Sequence, residues 1–153
     1  MKLTREYGNE TIQVTFDCQD EAEMDMHMGD DELETPDEDD DEEGASMDYG
    51  INTDVTITKA SGEKIIINCV SAKKLAVRSI RYIEPGADIE DPKAYGGPVF
   101  DQLNEELQES FYTYLADRKI DEDLAFFVLS YSRVKEQKEY SNWLNKVMEF
   151  SKL

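Results

Sequence analysis

Histidine is almost missing from this sequence: His27 stands alone among 153 residues. A nucleophile–histidine–carboxylate relay needs an imidazole held rigidly beside a Ser or Cys. His27 sits in a dense acidic run with no apolar periodicity, which cannot hold it so, and no enzyme is expected. The two cysteines, Cys18 and Cys69, fit neither a disulfide framework nor a metal motif and read as reduced, ordinary side chains. No run of 18 apolar residues is present, which excludes a spanning helix. No glycine-rich phosphate loop follows a strand, and Gly96-Gly97-Pro98 lacks the required spacing. The opening residues, Met1 to Tyr7, lead straight into strand-like sequence and do not read as a signal or transit peptide.

Positive charge is the next absence. From Asp17 to Asp48, 32 residues hold 17 Asp or Glu and no Lys or Arg. The whole chain carries a formal charge of −20, which leaves −3 for the other 121 residues. The anionic character is therefore a separable segment rather than a general surface property. Its densest part is Asp37-Glu38-Asp39-Asp40-Asp41-Glu42-Glu43. Blocks of like charge repel themselves, stay solvated and act as interaction tails. The stretch reads as a poorly ordered loop between strands. It is either a solubilising loop or a polyanion that attracts basic partners. Direct binding to nucleic-acid phosphates is not expected from so acidic a chain.

The acidic segment also contains Met24, Met26 and Met28 around His27, soft ligands of the kind that suit Cu(I). A polar segment that happens to contain methionines explains the same residues more simply. Asp37 to Glu43 lacks the glycine and terminal glutamate of an EF-hand loop, so only weak counterion binding is expected. No cofactor and no metal site are assigned.

Outside the acidic run, the chain is patterned. At this length a chain buries ~70% of its unfolded surface, enough for one domain. Lys2 to Tyr7 and Thr11 to Asp17 read as strands joined by Gly8-Asn9. In the second, Ile12, Val14 and Phe16 alternate with Thr11, Gln13 and Thr15. Further strands follow. Thr53, Val55, Ile57 and Lys59 share one parity, Ile65 to Val70 forms a run, and Leu75 to Ile83 another. Short links between them predict an antiparallel sheet of five strands. Residues 84–98 form a loop. The remainder, 101–151, is helical, which gives an α+β fold in a single domain spanning 1–153.

The first helix is predicted over Asp101 to Lys119, capped by Asp101, with Leu103, Leu107, Phe111, Tyr114 and Leu115 on its core face. A second starts after the cap candidate Asp121 and runs to about Ser151. At ~100° per residue, Leu124, Phe127, Val128, Tyr131 and Val134 cluster on one side, and Tyr140, Trp143, Leu144, Val147 and Phe150 roughly 160° away. Either the helix breaks near Lys135 to Glu139, or its two halves meet different things. Unbroken, it would span ~46 Å, against a radius of gyration of ~15 Å for the domain. The Trp143 face then needs another chain or another segment.

The order of these elements resembles the mitochondrial acidic matrix proteins, the mitochondrial glycoprotein family that includes the receptor for the globular heads of complement C1q. The resemblance is carried by Lys2 to Arg5, by Ile12-Gln13-Val14-Thr15-Phe16, by the acidic insert, and by the C-terminal third. There it rests on Gly97-Pro98-Val99-Phe100-Asp101, Leu107-Gln108, Tyr114-Leu115-Ala116-Asp117-Arg118 and Lys135 to Tyr140 with Trp143-Leu144. It implies a strongly twisted antiparallel sheet flanked by helices and a doughnut-shaped homotrimer. It also implies a non-enzymatic, multi-partner protein of the mitochondrial matrix, tied to mitochondrial RNA processing, translation and oxidative phosphorylation. Family members carry an N-terminal helix and a further strand ahead of this chain's first residue, and that helix packs on the C-terminal one. The resemblance thus implies a chain shortened at its N terminus, with the Trp143 face short of cover.

Three functional readings follow. In the first, Asp37 to Glu43 captures basic or RNA-binding mitochondrial proteins. In the second, an ordered sheet or helix surface does so and the insert only solubilises. The third is a metal or ion buffer.

Overall fold

Period-two patterning becomes five strands in the computed structural model, which describes residues 1–22, 49–91 and 93–152. The strands are β1 (Lys2–Tyr7), β2 (Glu10–Ala22), β3 (Gly50–Lys59), β4 (Lys64–Ser71) and β5 (Leu75–Ile83). They lie in chain order, each antiparallel to the next. Tyr7 opposes Glu10 across Gly8-Asn9. Gly8 turns there at a φ of 59°, open to glycine because it has no Cβ to clash. Every second residue on one sheet face is buried, including Ile12, Val14, Phe16, Thr53, Val55 and Ile57.

Two features depart from the patterned reading. β2 continues to Ala22, so the acidic stretch begins inside a strand and not as a loop. The register slips between Phe16, opposite Thr53, and Glu21, opposite Ile51. Asp17 marks the bulge, its carboxylate accepting the Gln19 backbone N–H at 3.0 Å, and Asp20 accepts from the Asn52 side chain at 2.9 Å. These carboxylates bond locally, as short acidic side chains do beside irregular backbone. Composition alone grouped them with the insert.

The helical part is anchored at the β5 edge. Phe100 lies in a 3-10 turn, Phe100–Gln102, and meets Phe111 and Tyr112 edge-to-face at 6.1 and 5.6 Å. The Tyr112 hydroxyl accepts the Val77 N–H at 3.3 Å, satisfying a donor on the sheet's edge strand. Gly97 allows the loop to approach; a Cβ there would collide with the Ile80 carbonyl. Helix α1 spans Glu105–Asp117 and is capped by Asn104, whose side chain accepts the Leu107 N–H. The expected start at Asp101 is thus displaced, because Phe100 takes the 3-10 turn into the core and Leu103 is extended. Leu107, expected in the core, is 42% exposed.

α1 ends in a paired-carbonyl cap: Lys119 N–H bonds to Ala116 O and Ile120 N–H to Leu115 O. Lys119 occupies the left-handed conformation such caps require, with φ 59°. Leu115 and Ile120, the apolar pair of the motif, are both buried. Beside the cap, Arg118 grips Glu10 with two bonds of 2.8 and 3.2 Å and stacks 3.5 Å over the Tyr114 ring. Burial would lower the Arg118 pKa, but the Glu10 hydrogen bond and the neighbouring charges outweigh it and raise the pKa.

Helix α2 runs unbroken over Glu122–Ser151, with Asp121 capping through the Leu124 N–H. Its first half lies on the sheet through Ala125, Val128, Leu129 and Ser132, all buried. The predicted face holds in part: Val128 is buried and Leu124 and Tyr131 pack against the core, while Phe127 is 44% and Val134 71% exposed. Large apolar side chains had pointed to that face; the buried positions also include the small residues Ala125 and Ser132.

Candidate partner-binding surfaces

The residues that flank the insert lie beside the second half of α2 near one end of the sheet. Ala22 pairs with Gly50, so the chain leaves β2 and enters β3 at adjacent points. Asp37, Glu38, Asp39, Asp40, Asp41, Glu42 and Glu43 lie outside the described residues, as do Met24, Met26, His27 and Met28. The geometry therefore bears on where the insert is rooted. At its root, Cys18, Glu21 and Tyr49 line a cavity of about 260 Å³ with Ser132, Arg133, Glu136, Gln137 and Tyr140 of α2. A second cavity of about 430 Å³ continues along the helix past Gln19, Glu139, Asn142, Trp143 and Lys146, and shares Glu136 and Tyr140 with the first.

Beyond Ser132, no described residue of α2 is buried. Trp143 is 56% exposed and Phe150 79%, and Tyr140, Leu144 and Val147 are also exposed. Tyr140 and Trp143 stack at 6.0 Å. The structure thus brings these five residues together as one exposed stripe. The stripe is not on the opposite side from the buried half. A helix repeats its facing after about 18 residues, five turns. Trp143, Val147 and Phe150 therefore stand above Ala125, Leu129 and Ser132. On that face Glu136 and Glu139 separate the buried residues of the first half from the exposed apolar residues of the second.

The cysteines are core residues. Burial, with Asp54 nearby, pushes the Cys69 thiol up to about 12, which makes it a poor nucleophile at neutral pH. Cys18 is buried at the inner wall of the first cavity. Sequence reading missed the cavity itself. Its signal was faint: a serine on the buried phase of α2 and a tyrosine at the insert's exit.

Comparison with known proteins places this architecture. A solved structure from Leishmania major, titled as a hypothetical protein homologous in sequence to human p32, aligns with a TM-score of 0.72 at 24% identity, over 97% of this chain and 75% of that one. The p22 protein of Trypanosoma brucei aligns at 0.69 and 19% identity, over 97% and 74%. These share the fold. Among curated sequences, mitochondrial acidic protein mam33 of Schizosaccharomyces pombe is 52% identical over 60 residues, 39% of this chain and 22% of that protein. An uncharacterised mitochondrial protein of Arabidopsis thaliana is 34% identical over 108 residues, 70% of this chain and 43% of its own length. The matched segments thus span less than half of either curated relative. The family model for mitochondrial glycoproteins, MAM33, matches residues 1–151, and the chain belongs to that family of mitochondrial acidic proteins.

Proposed function

We propose that this protein is a non-enzymatic acidic adaptor of the mitochondrial matrix. It assembles as a homotrimer and binds basic, RNA-associated proteins in support of mitochondrial RNA processing, translation and oxidative phosphorylation. One observation carries the reading: 17 acidic residues and no basic ones in 32 consecutive positions of a chain that is near neutral elsewhere. A single exposed ion pair contributes only ~0–1 kcal/mol. Many weak contacts on three linked inserts gain by effective concentration. The attraction speeds encounter and falls with salt, since charges are screened over ~8 Å at physiological ionic strength. The relatives' names support a mitochondrial setting; the matrix, the trimer and the clients are this reading's own content.

The test compares the intact chain with one lacking Asp30 to Asp48 as bait in mitochondrial extract, at low and moderate salt. Basic RNA-associated proteins captured only by the intact chain, and released by salt, support the reading. Equal capture by both forms removes the insert from binding. The exposed stripe of Tyr140, Trp143, Leu144, Val147 and Phe150 favours a second, ordered contact with another protein chain, and in that case it becomes the main surface. A monomer by light scattering would remove the trimer.

A further inference from the structure

A second apolar ridge runs along the first half of α2, on the side of the helix away from the Trp143 stripe. Phe127 and Val134 are exposed, and Tyr131 between them is half-buried. The three recur at helical spacing and stand in one line. The ridge points roughly 160° away from Trp143, Val147 and Phe150, so a segment packed on that stripe leaves this ridge open. Its aromatic part is held in place. The Tyr131 ring stands edge-on against Phe16 of β2 at 6.1 Å, and Phe127 stacks on it at 5.9 Å. One charge stands at each end of the ridge. Asp123 lies one turn before Phe127 and Lys138 one turn after Val134, and both are exposed. Neither side chain has an ion-pair or hydrogen-bond partner among the described residues.

We propose that two copies of this chain pair through this ridge, in an antiparallel α2–α2 contact with two-fold symmetry. The order of the residues is what selects a second copy. It is symmetric about the Ser130–Tyr131 peptide. With two such helices antiparallel about that point, Phe127 of one copy lies opposite Val134 of the other, and Asp123 lies opposite Lys138. Each contact occurs twice, as a two-fold interface requires. A parallel pair would set Asp123 against Asp123 and Lys138 against Lys138, so charge favours the antiparallel arrangement. Ser130 is small and sits at the centre, which suits the ~8–10 Å separation of packed helices. The chain's net charge is a weak obstacle. Of the −20, −17 lies in the insert, whose flanks open beside Glu136 and Tyr140 and not on the ridge, and its field is screened over ~8 Å at physiological salt. The patch is small, so the pair is weak and reversible. The inference rests neither on the adaptor reading nor on the trimer: pairing doubles the mass of whichever unit carries the ridge.

The experiment is sedimentation equilibrium of the full chain at physiological salt, from micromolar to near-millimolar concentration, the range of weak interfaces. The mass is expected to double reversibly. Phe127→Ser should weaken the pairing about tenfold. Asp123→Lys alone and Lys138→Asp alone each set like charges opposite one another, and each should weaken it about three- to tenfold. Both substitutions in one chain should restore the pair. Mixing the two single variants should restore it as well, because every contact then joins opposite charges. The mixture also guards against misfolding, since Asp123→Lys opposes the helix dipole and a variant that failed to fold would not regain pairing. Constant mass over the whole range overturns the proposal and leaves the ridge to a different protein. Doubling that survives Phe127→Ser but is lost when Trp143 and Phe150 are changed to alanine overturns it too, by moving the contact to the other stripe. If the single exchanges weaken the pair and neither the double variant nor the mixture recovers it, the antiparallel register is wrong and the proposal falls. Capture of basic proteins by the insert is read in a separate assay, so the adaptor reading stands or falls independently of these outcomes.

Discussion

The two halves of α2 present the same face to different surroundings. Ala125, Leu129 and Ser132 lie against the sheet and are buried; Trp143, Val147 and Phe150, five turns on, stand in solvent. Within the helix, the buried half carries small residues at Ala125 and Ser132 where the exposed half carries Trp143 and Phe150. The sheet ends before the helix does. An apolar stripe therefore reports only that a surface is suited to burial, and the neighbouring element decides whether burial happens. The first half of the stripe is a stability element, and the second is available to another chain.

The largest expected effect tests that contrast directly. Leu129→Ala should cost about 2–5 kcal/mol in urea unfolding, as core truncations do, while Val147→Ala should stay within about 0.5 kcal/mol. Equal losses at both positions would show that the second half is covered in solution. Arg118→Ala should cost about 3 kcal/mol, because it strands the Glu10 carboxylate in a mostly buried site. Restoring neutrality with Glu10→Gln in the same chain should recover part of that loss; no recovery would assign the cost to the stacking on Tyr114 instead.

A smaller effect comes from Cys69. Its thiol is held protonated in the folded core, with a pKa near 12 against an ordinary value of 9.0. The unfolded chain sheds this proton first, so stability is unaffected below about pH 9 and falls as pH rises toward 12. By pH 10.5 the loss should reach about 2 kcal/mol. A Cys69→Ala variant should lack this alkaline component, and an identical pH profile for both chains would refute it. The smallest effect concerns Trp143, whose substitution should leave unfolding unchanged. Its emission in the dilute folded chain should be accessible to acrylamide, and protection that grows with protein concentration would show copies packing on the stripe.

The strands were readable because alternation with period two survives in the residues themselves. β1 and β5 follow Lys2–Tyr7 and Leu75–Ile83 as patterned. The last third of β2 was not readable, because Asp17, Asp20 and Glu21 resemble the insert in composition and only pairing with β3 makes them a strand. The start of α1 was misplaced for a similar reason. Asp101 and Asn104 are both good caps, and the choice between them was made by Phe100 entering the core. The α2 face was read correctly at Leu124, Val128 and Tyr131, which pack in or against the core, but weighting large side chains added the exposed Phe127 and Val134 and passed over the buried Ala125 and Ser132. The acidic insert was visible at once, yet where it is rooted was not.

Sequence alone determined the segregation of charge, the alternating strands and the exposed cluster of Tyr140, Trp143, Leu144, Val147 and Phe150, because each depends on residues near in the chain; that α2 runs unbroken was settled only by the structure. Tertiary structure decided which part of α2 is covered and that Arg118 meets Glu10 across 108 residues. It also decided that Ser132, on the buried side of α2, lines a cavity with Glu21 and Tyr49. Those outcomes depend on where the meander ends relative to the helix, a distance set by packing between elements and written in no local pattern.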